Sequence, residues 1–250
     1  MKILLTNDDG YRAKGILELA KGLVAGGHEV VIVAPETEKS GAGHSITFVN
    51  DFVYKSHDLV DGAKVYSLNG TPIDCVRFGL FVIYPEAEIV LSGINNVLNV
   101  GTDYLYSGTS NAAIEGTICH RKSIAVSTHE KDGDYEFSVN FVLKNLERLL
   151  KYITKDVTLN INIPFNHKEN KGIAVCPIGV REYHDRYLPI GNSGEGEIHR
   201  LCGESISKLN SSDFDDVSLS DKGYITITPI KTYQTADRVL SELEKEKFEL

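Results

Sequence analysis

The sequence has no run of about 20 apolar residues, the length that a membrane-spanning helix needs. Its apolar start, residues 3–5, is also too short for the core of a secretory signal peptide. We therefore expect no membrane-spanning segment and a cytoplasmic location.

Basic residues are scarce relative to acidic ones. The 250 residues include 26 Lys and Arg but 35 Asp and Glu, which gives a formal net charge of −9. Binding to a nucleic-acid duplex depends on clustered Lys and Arg side chains, so this charge argues against such a partner. A small anionic substrate remains compatible with the charge, because a bound cation reverses the local field.

Cysteine is sparse as well. The chain has four cysteines, which lie far apart and form no Cys-x-x-Cys pair: Cys75, Cys119, Cys176 and Cys202. We interpret them as unpaired thiols rather than as disulfides or metal ligands.

Apolar runs alternate with segments of helical periodicity along the first 180 residues. The runs that predict strands cover residues 2–6, 29–34, 88–92, 123–128, 157–163 and 172–178. The periodic segments that predict helices cover residues 14–26, 74–83, 110–120 and 137–152. We expect Gly93 to break the third strand. The alternation predicts an α/β core, a doubly wound, mostly parallel, Rossmann-like sheet over residues 1–180.

The pattern changes after residue 180. Residues 181–222 are polar and rich in glycine, which predicts either an irregular lobe or an extended hairpin. Residues 223–230 alternate between apolar and polar side chains and predict a half-buried closing strand. Residues 234–248 predict a charged tail helix. We assign residues 181–250 to an extension of the core.

Polar clusters follow the first three predicted strands. Asp8 and Asp9 follow the first, a loop with Ser40 and His44 follows the second, and Asn95 follows the third. Because ligands bind beyond the carboxyl ends of parallel strands, we expect these side chains to share one edge of the sheet.

Asp8 and Asp9 are the most informative pair. Adjacent carboxylates repel each other, so backbone donors, a raised pKa or a bound cation must compensate. Taken alone, the pair is typical of a capped turn before a helix. Together with the oxygen atoms of Ser40 and Asn95, it favours a site for Mg²⁺ or Mn²⁺.

Residues 106–111 precede a predicted helix and contain Ser107, Gly108 and Thr109. Such a helix start either binds an anion or serves only as an N-cap. His44 is a candidate proton donor or phosphate ligand, and equally a surface histidine without a role. Residues 70–72 predict a turn, with Asp74 as a helix cap.

Five segments resemble the SurE family of stationary-phase survival proteins, which are nucleotidases. The similar segments are residues 3–10, 39–47, 70–76, 92–109 and 223–229. The similarity is dense over residues 1–128 and sparser beyond.

The resemblance implies a divalent-metal-dependent phosphatase that hydrolyses nucleoside 5′- and 3′-monophosphates. It implies one metal ion held by Asp8, Asp9, Ser40 and Asn95. It further implies that Ser107, Gly108 and Thr109 bind phosphate and that Asn99 lies beside the site. Homodimers or homotetramers that exchange C-terminal segments are typical of the family, and residues 181–250 suit that role.

The sequence departs from the family pattern at three places. Lys14 replaces a proline, Val97 replaces a glycine, and residues 110–111 are Ser-Asn where small residues are usual. None of these changes removes an expected metal ligand. We expect Val97 to restrict its loop and to shift Asn99, which would affect substrate preference.

We therefore predict metal-assisted hydrolysis of a phosphomonoester, with Asp8 and Asp9 as the catalytic pair. One alternative is a phosphatase with a covalent Asp nucleophile, although such enzymes space their two Asp residues one apart. A second is a sugar-nucleotide transferase, for which 250 residues leave little room. A third is a metal-dependent nucleotide sensor without catalysis.

Overall fold

A nine-stranded sheet with helices on both faces forms the body of the protein. The computed structural model describes residues 1–129, 134–164, 170–206 and 212–246. The strands are β1 (Lys2–Thr6), β2 (Glu29–Pro35), β3 (Tyr54–His57), β4 (Ala63–Leu68), β5 (Ile89–Asn95), β6 (Lys122–Thr128), β7 (Val157–Ile163), β8 (Ile173–Val175), β9 (Glu182–Asn192), β10 (Glu197–Ile206) and β11 (Ile225–Lys231). The α-helices are α1 (Lys14–Ala25), α2 (Pro72–Phe78), α3 (Gly108–Ile118), α4 (Glu136–Leu149), α5 (Asp216–Asp221) and α6 (Asp237–Leu243). The chain also forms a π-helical turn at Gly79–Ile83 and a 3₁₀ turn at Gly101–Leu105.

The strand order is β3-β4-β2-β1-β5-β6-β7-β11-β8. All neighbours in this sheet are parallel except β3 with β4 and β7 with β11. The chain runs outward from β1 through β2 to β4, then returns to add β5, β6 and β7 on the other side of β1. The direction of winding therefore reverses between β1 and β5, and a crevice opens there beyond the strand ends. The predicted doubly wound α/β fold is confirmed.

The central strands are buried because helices cover both faces of the sheet. On one face, Ile16 and Leu19 of α1 pack in a cluster with Phe141 and Leu146 of α4. On the other face, Val76 of α2 and Ala112 of α3 contact β1, β2 and β5 through a second cluster. Strands covered in this way read as continuous apolar runs, which is why the sequence predicted β1, β2 and β6 well.

Two predicted boundaries on the N-terminal half are wrong. Strand β5 does not end at Gly93 but continues to Asn95. Gly93 has φ +130°, and a Cβ there would lie 2.2 Å from the carbonyl oxygen of Val126 on β6, so glycine serves a close approach of two strands. Helix α2 begins at Pro72, with Thr71 as its N-cap, whereas the sequence suggested a start at Asp74.

The hairpin alternative for the segment after residue 180 is confirmed. Strands β9 and β10 pair in antiparallel register, with a one-residue register shift between Ile198 and His199. Strand β11 joins the main sheet between β7 and β8, and β8 is shorter than predicted. Helix α6 covers only part of the predicted tail helix, whose last residues, 247–248, lie outside the described residues.

Across the described ranges, the helices are too short or too polar to cross a membrane. The division of the chain at residue 180 and the role of residues 181–250 in oligomerisation stay predictions.

Asp74 fastens the start of α2 to the loop that carries Ser40. Its carboxylate accepts hydrogen bonds from the Thr47 amide at 3.0 Å and the Thr47 hydroxyl at 2.7 Å. It also accepts one from the Thr71 amide at 2.9 Å, which closes a capping box at the helix start. The Thr71 hydroxyl in turn donates to the carbonyl of Ser45 at 2.7 Å.

We expect Asp74→Ala to lower the free energy of unfolding by about 2 kcal/mol, because it opens the capping box and leaves the partly buried donors of Thr47 and Thr71 without this acceptor. Denaturant unfolding followed by circular dichroism measures this change. Asp61→Ala, at an exposed turn residue, is the matched control. Equal stability of the two variants would contradict the anchoring role.

Candidate functional site

A cavity of about 540 Å³ occupies the crevice between the ends of β1 and β5. Six of the predicted site residues line it: Asp8, Asp9, Ser40, Asn95, Asn99 and Ser107. The expectation that the polar residues after the first three predicted strands share one edge of the sheet thus holds for Asp8, Asp9, Ser40 and Asn95.

A second cavity, of about 690 Å³, lies between α1 and α4. Its lining includes Lys14, Glu18, Lys21 and Glu136, which are side chains typical of a solvated helix surface. It lies away from the strand ends, so we place the candidate site in the crevice.

Asp8 is buried at the end of β1, and only 4% of its surface is exposed. The Thr109 hydroxyl donates a hydrogen bond to its Oδ1 at 2.5 Å. Burial raises the pKa of Asp8 above its ordinary value, while hydrogen bonds from the Thr109 side chain and from the backbone of Thr109 and Gly108 act in the opposite direction. The first turn of α3 therefore stabilises the charged form of this carboxylate.

Gly108 allows α3 to approach Asp8 this closely. A Cβ at Gly108 would lie 2.7 Å from the Asp8 Cβ and 3.0 Å from the Pro72 Cγ. Gly108 and Thr109 do not line the cavity, whereas Ser107 does and also caps α3 by accepting a hydrogen bond from the Ser110 amide at 3.0 Å. Phosphate binding by this segment stays a prediction, and Ser107 is its member on the cavity surface.

Asp9 lies in a strongly negative environment. Burial, followed by the negative charges of Asp8 and Glu38, raises the pKa of Asp9 to about 7. Glu38 also accepts a hydrogen bond from the Ser40 hydroxyl at 2.7 Å. Three carboxylates in one crevice repel one another, and a cation bound among them would reverse that repulsion.

The oxygen atoms at the site suit a hard divalent cation. The Asn95 side-chain amide donates through Nδ2 to the Val97 carbonyl at 2.7 Å, which leaves Oδ1 as the atom suited to a cation. The described part of the chain contains no cluster of three or more His, Cys, Asp or Glu side chains arranged around a metal position. The candidate set instead combines two carboxylates with a hydroxyl and an amide oxygen, a chemistry that Mg²⁺ and Mn²⁺ accept.

Two buried asparagines of β7 hold Asn99, and the sequence reasoning missed both. The Asn99 amide donates to the Asn162 Oδ1 at 2.7 Å, and the Asn99 carbonyl accepts from the Asn160 Nδ2 at 2.7 Å. The Asn99 side chain donates to the Ser127 hydroxyl of β6 at 2.8 Å. The sequence does show two asparagines at alternate positions of β7, each flanked by apolar residues, which marks polar side chains inside a buried strand. Asn99 lines the cavity, and Val97 is 65% exposed beside it.

His44 does not line the cavity. Its Nε2 lies 2.8 Å from a carboxylate oxygen of Glu115, and its Nδ1 lies 3.1 Å from the Asn111 Oδ1, both on α3. Arg77 donates to the other oxygen of Glu115 at 2.7 Å. The structure thus places His44 in a contact between its loop and α3, not at the site where the sequence suggested a proton donor or phosphate ligand.

Comparison with known proteins identifies the family. Residues 3–185 match the family model of the survival protein SurE. The chain belongs to the SurE family. This membership confirms the resemblance inferred from the five motif segments.

Similar SurE proteins are known over nearly the full length. A 5′-nucleotidase SurE of Clostridium beijerinckii is 41% identical, and the match covers 98% of each chain. A 5′-nucleotidase SurE of Caldanaerobacter subterraneus is 39% identical over 99% of this chain and 98% of its own. The crystal structure of the SurE protein from Aquifex aeolicus superposes with a TM-score of 0.80 at 32% identity, covering 97% of this chain and 98% of that one.

The close packing around Gly108 leaves no room for a side chain. Alanine usually favours a helix, but here its methyl group would collide with Asp8 and Pro72. We expect Gly108→Ala to lower the free energy of unfolding by about 1–3 kcal/mol, as overpacking does in general.

Denaturant unfolding checks this expectation. Gly191→Ala is the control, because a Cβ there meets no atom within 4 Å, and we expect its effect to stay within about 0.5 kcal/mol. A Gly108→Ala variant as stable as the control would show that α3 does not depend on this contact.

Proposed function

We propose that this chain is a phosphomonoesterase that hydrolyses nucleoside 5′-monophosphates, and 3′-monophosphates as well, and that it requires one divalent cation, Mg²⁺ or Mn²⁺. Full-length relatives that are 41% and 39% identical bear the name 5′-nucleotidase, which supports the nucleotide substrate. The predicted cytoplasmic location and the predicted homodimer or homotetramer remain part of this proposal.

The proposed metal requirement is supported by the concentration of negative charge where Asp8, Asp9 and Glu38 line the same cavity. Burial and like charge raise the pKa of Asp9 to about 7, so the arrangement is costly unless positive charge is bound. The hydrogen bonds of Thr109 and α3 to Asp8 offset only part of that cost.

The proposed roles follow from position. Asp8, Asp9, Ser40 and Asn95 hold the cation. When bound, the cation supplies positive charge that offsets the charge on the phosphoryl oxygens and acidifies water. Asn99 and Ser107, on the same cavity surface, orient the phosphate by hydrogen bonds.

Asp8 and Asp9 also carry the proposed catalytic role. Asp8 is fixed by the hydrogen bond from Thr109 and is suited to hold the cation. Asp9 is only partly buried and is suited to position the attacking water. No histidine is among the described residues that line the cavity, and His44 is engaged by Glu115.

Two other functions make different predictions. A covalent phosphatase would accumulate an aspartyl phosphate that acid quenching traps. A nucleotide sensor would bind nucleotide with Mg²⁺ or Mn²⁺ and release no phosphate.

We expect Asp9→Asn to reduce metal-dependent phosphate release by at least about 100-fold, because one carboxylate of the cation site is lost. The measurement is phosphate release from a panel of nucleoside 5′- and 3′-monophosphates. Each divalent metal is added in turn after removal of bound metal with a chelator. Asp58→Asn, at an exposed residue, is the control. Wild-type turnover by Asp9→Asn in excess chelator would refute the proposal.

A second measurement separates metal binding from catalysis. Mn²⁺ at about 100 times its dissociation constant should stabilise the wild-type fold by about 2.7 kcal/mol, since it binds only the folded state. Asp9→Asn should lose this stabilisation, yet be no less stable than wild type in chelator, because the substitution removes like-charge repulsion. Thermal unfolding with and without Mn²⁺ measures both. An unchanged Mn²⁺ response would place the cation elsewhere.

A further inference from the structure

The mouth of the cavity differs in chemistry from its floor. Asp8 and Asn95 on the floor are 4% and 8% exposed. Tyr106 and Tyr183, which also line the cavity, are 68% and 45% exposed and therefore lie at its opening. Val97 is exposed beside them. A ligand whose phosphate reaches the floor thus has aromatic surface around its other end.

Tyr183 comes from the hairpin, and its ring is held in place. Its hydroxyl donates to the Asp103 carboxylate at 2.7 Å, and Arg181 donates to the same oxygen at 3.0 Å. The Thr102 hydroxyl donates to the Arg181 carbonyl at 2.5 Å. These contacts fasten the start of β9 to the 3₁₀ turn that precedes Ser107. A ring fixed in advance loses little conformational entropy when a ligand stacks on it.

The charge of the lining restricts the group that lies at the mouth. The described lining residues include four carboxylates, Asp8, Asp9, Glu38 and Asp103, and no Lys or Arg. Arg181 is near but is paired with Asp103. Further phosphates on a ligand would meet negative charge without a basic partner. The mouth therefore suits a flat, uncharged group.

We propose that Tyr183 binds the leaving group of the substrate by stacking on the base of a nucleoside monophosphate, with Tyr106 at the same opening. This inference rests on the proposed nucleotidase function and names the residue that selects a nucleoside over other phosphomonoesters. Tyr183 is a specificity-determining residue and takes no part in bond breaking.

The test compares adenosine 5′-monophosphate with glycerol 2-phosphate, which has a phosphate but no ring. Tyr183→Ala should lower the ratio of the two kcat/KM values about tenfold, as loss of one stacking contact does, through KM rather than kcat. Adenosine itself should inhibit the variant about tenfold more weakly than wild type.

Two further variants keep the test sharp. Tyr183→Phe keeps the ring but loses the bond to Asp103, so it should retain most of the ratio, and it covers the case in which Tyr183→Ala misfolds. Tyr187→Ala removes a tyrosine from the same strand that is 68% exposed and does not line the cavity. It should leave the ratio at the wild-type value.

The outcomes are distinguishable. Equal loss of activity toward both substrates in Tyr183→Ala, or a fall of the ratio in Tyr187→Ala of the same size, overturns the stacking role and leaves the nucleotidase proposal standing. A wild-type protein that releases phosphate from neither substrate with Mg²⁺ or Mn²⁺ overturns the proposed function together with this inference.

Discussion

The buried carboxylate of Asp8 connects the fold to the site. It lies where β1 ends, and hydrogen bonds from the first turn of α3 offset part of the cost of burying its charge. A buried charge without such donors would be strongly destabilising. Helix α3 must therefore start within reach of the β1 terminus, and Gly108 provides the space for it. Much of the crevice geometry follows from this one contact.

The strand order explains why residues far apart in sequence share the crevice. β1 and β5 are neighbours, yet the chain between them builds β2, β3 and β4 on the far side of β1. The loops that follow β1 and β5 therefore turn toward opposite edges of the sheet, and the space between the carboxyl ends of these two strands stays open. Ser40, from the loop after β2, and Asn99, from the loop after β5, reach it from different directions.

The sequence predicted those parts of the fold that follow from local pattern. Buried apolar runs identified β1, β2 and β6, and helical periodicity identified α1 and α4. Strands β3 and β4 were missed because β3 is short and mostly exposed, while Lys64 and Ser67 interrupt the apolar residues of β4. The sequence predicted a strand end at Gly93 because glycine often ends a strand. In the structure Gly93 instead leaves space for the Val126 carbonyl of the neighbouring strand, which no local pattern reveals. The same limit applies to Asn160 and Asn162, whose partner Asn99 lies some 60 residues away.

The position of β11 has a consequence for biosynthesis. β11 pairs with β7 from Val157 to Asn162, yet the hairpin and α5 are made between the two strands. On the ribosome, β7 emerges with one edge unpaired until residues 225–231 follow. An unpaired strand edge is prone to association with other chains, and distant strand pairing is slow. The order of synthesis therefore makes the pairing of β7 with β11 a late, long-range step in the folding of this sheet.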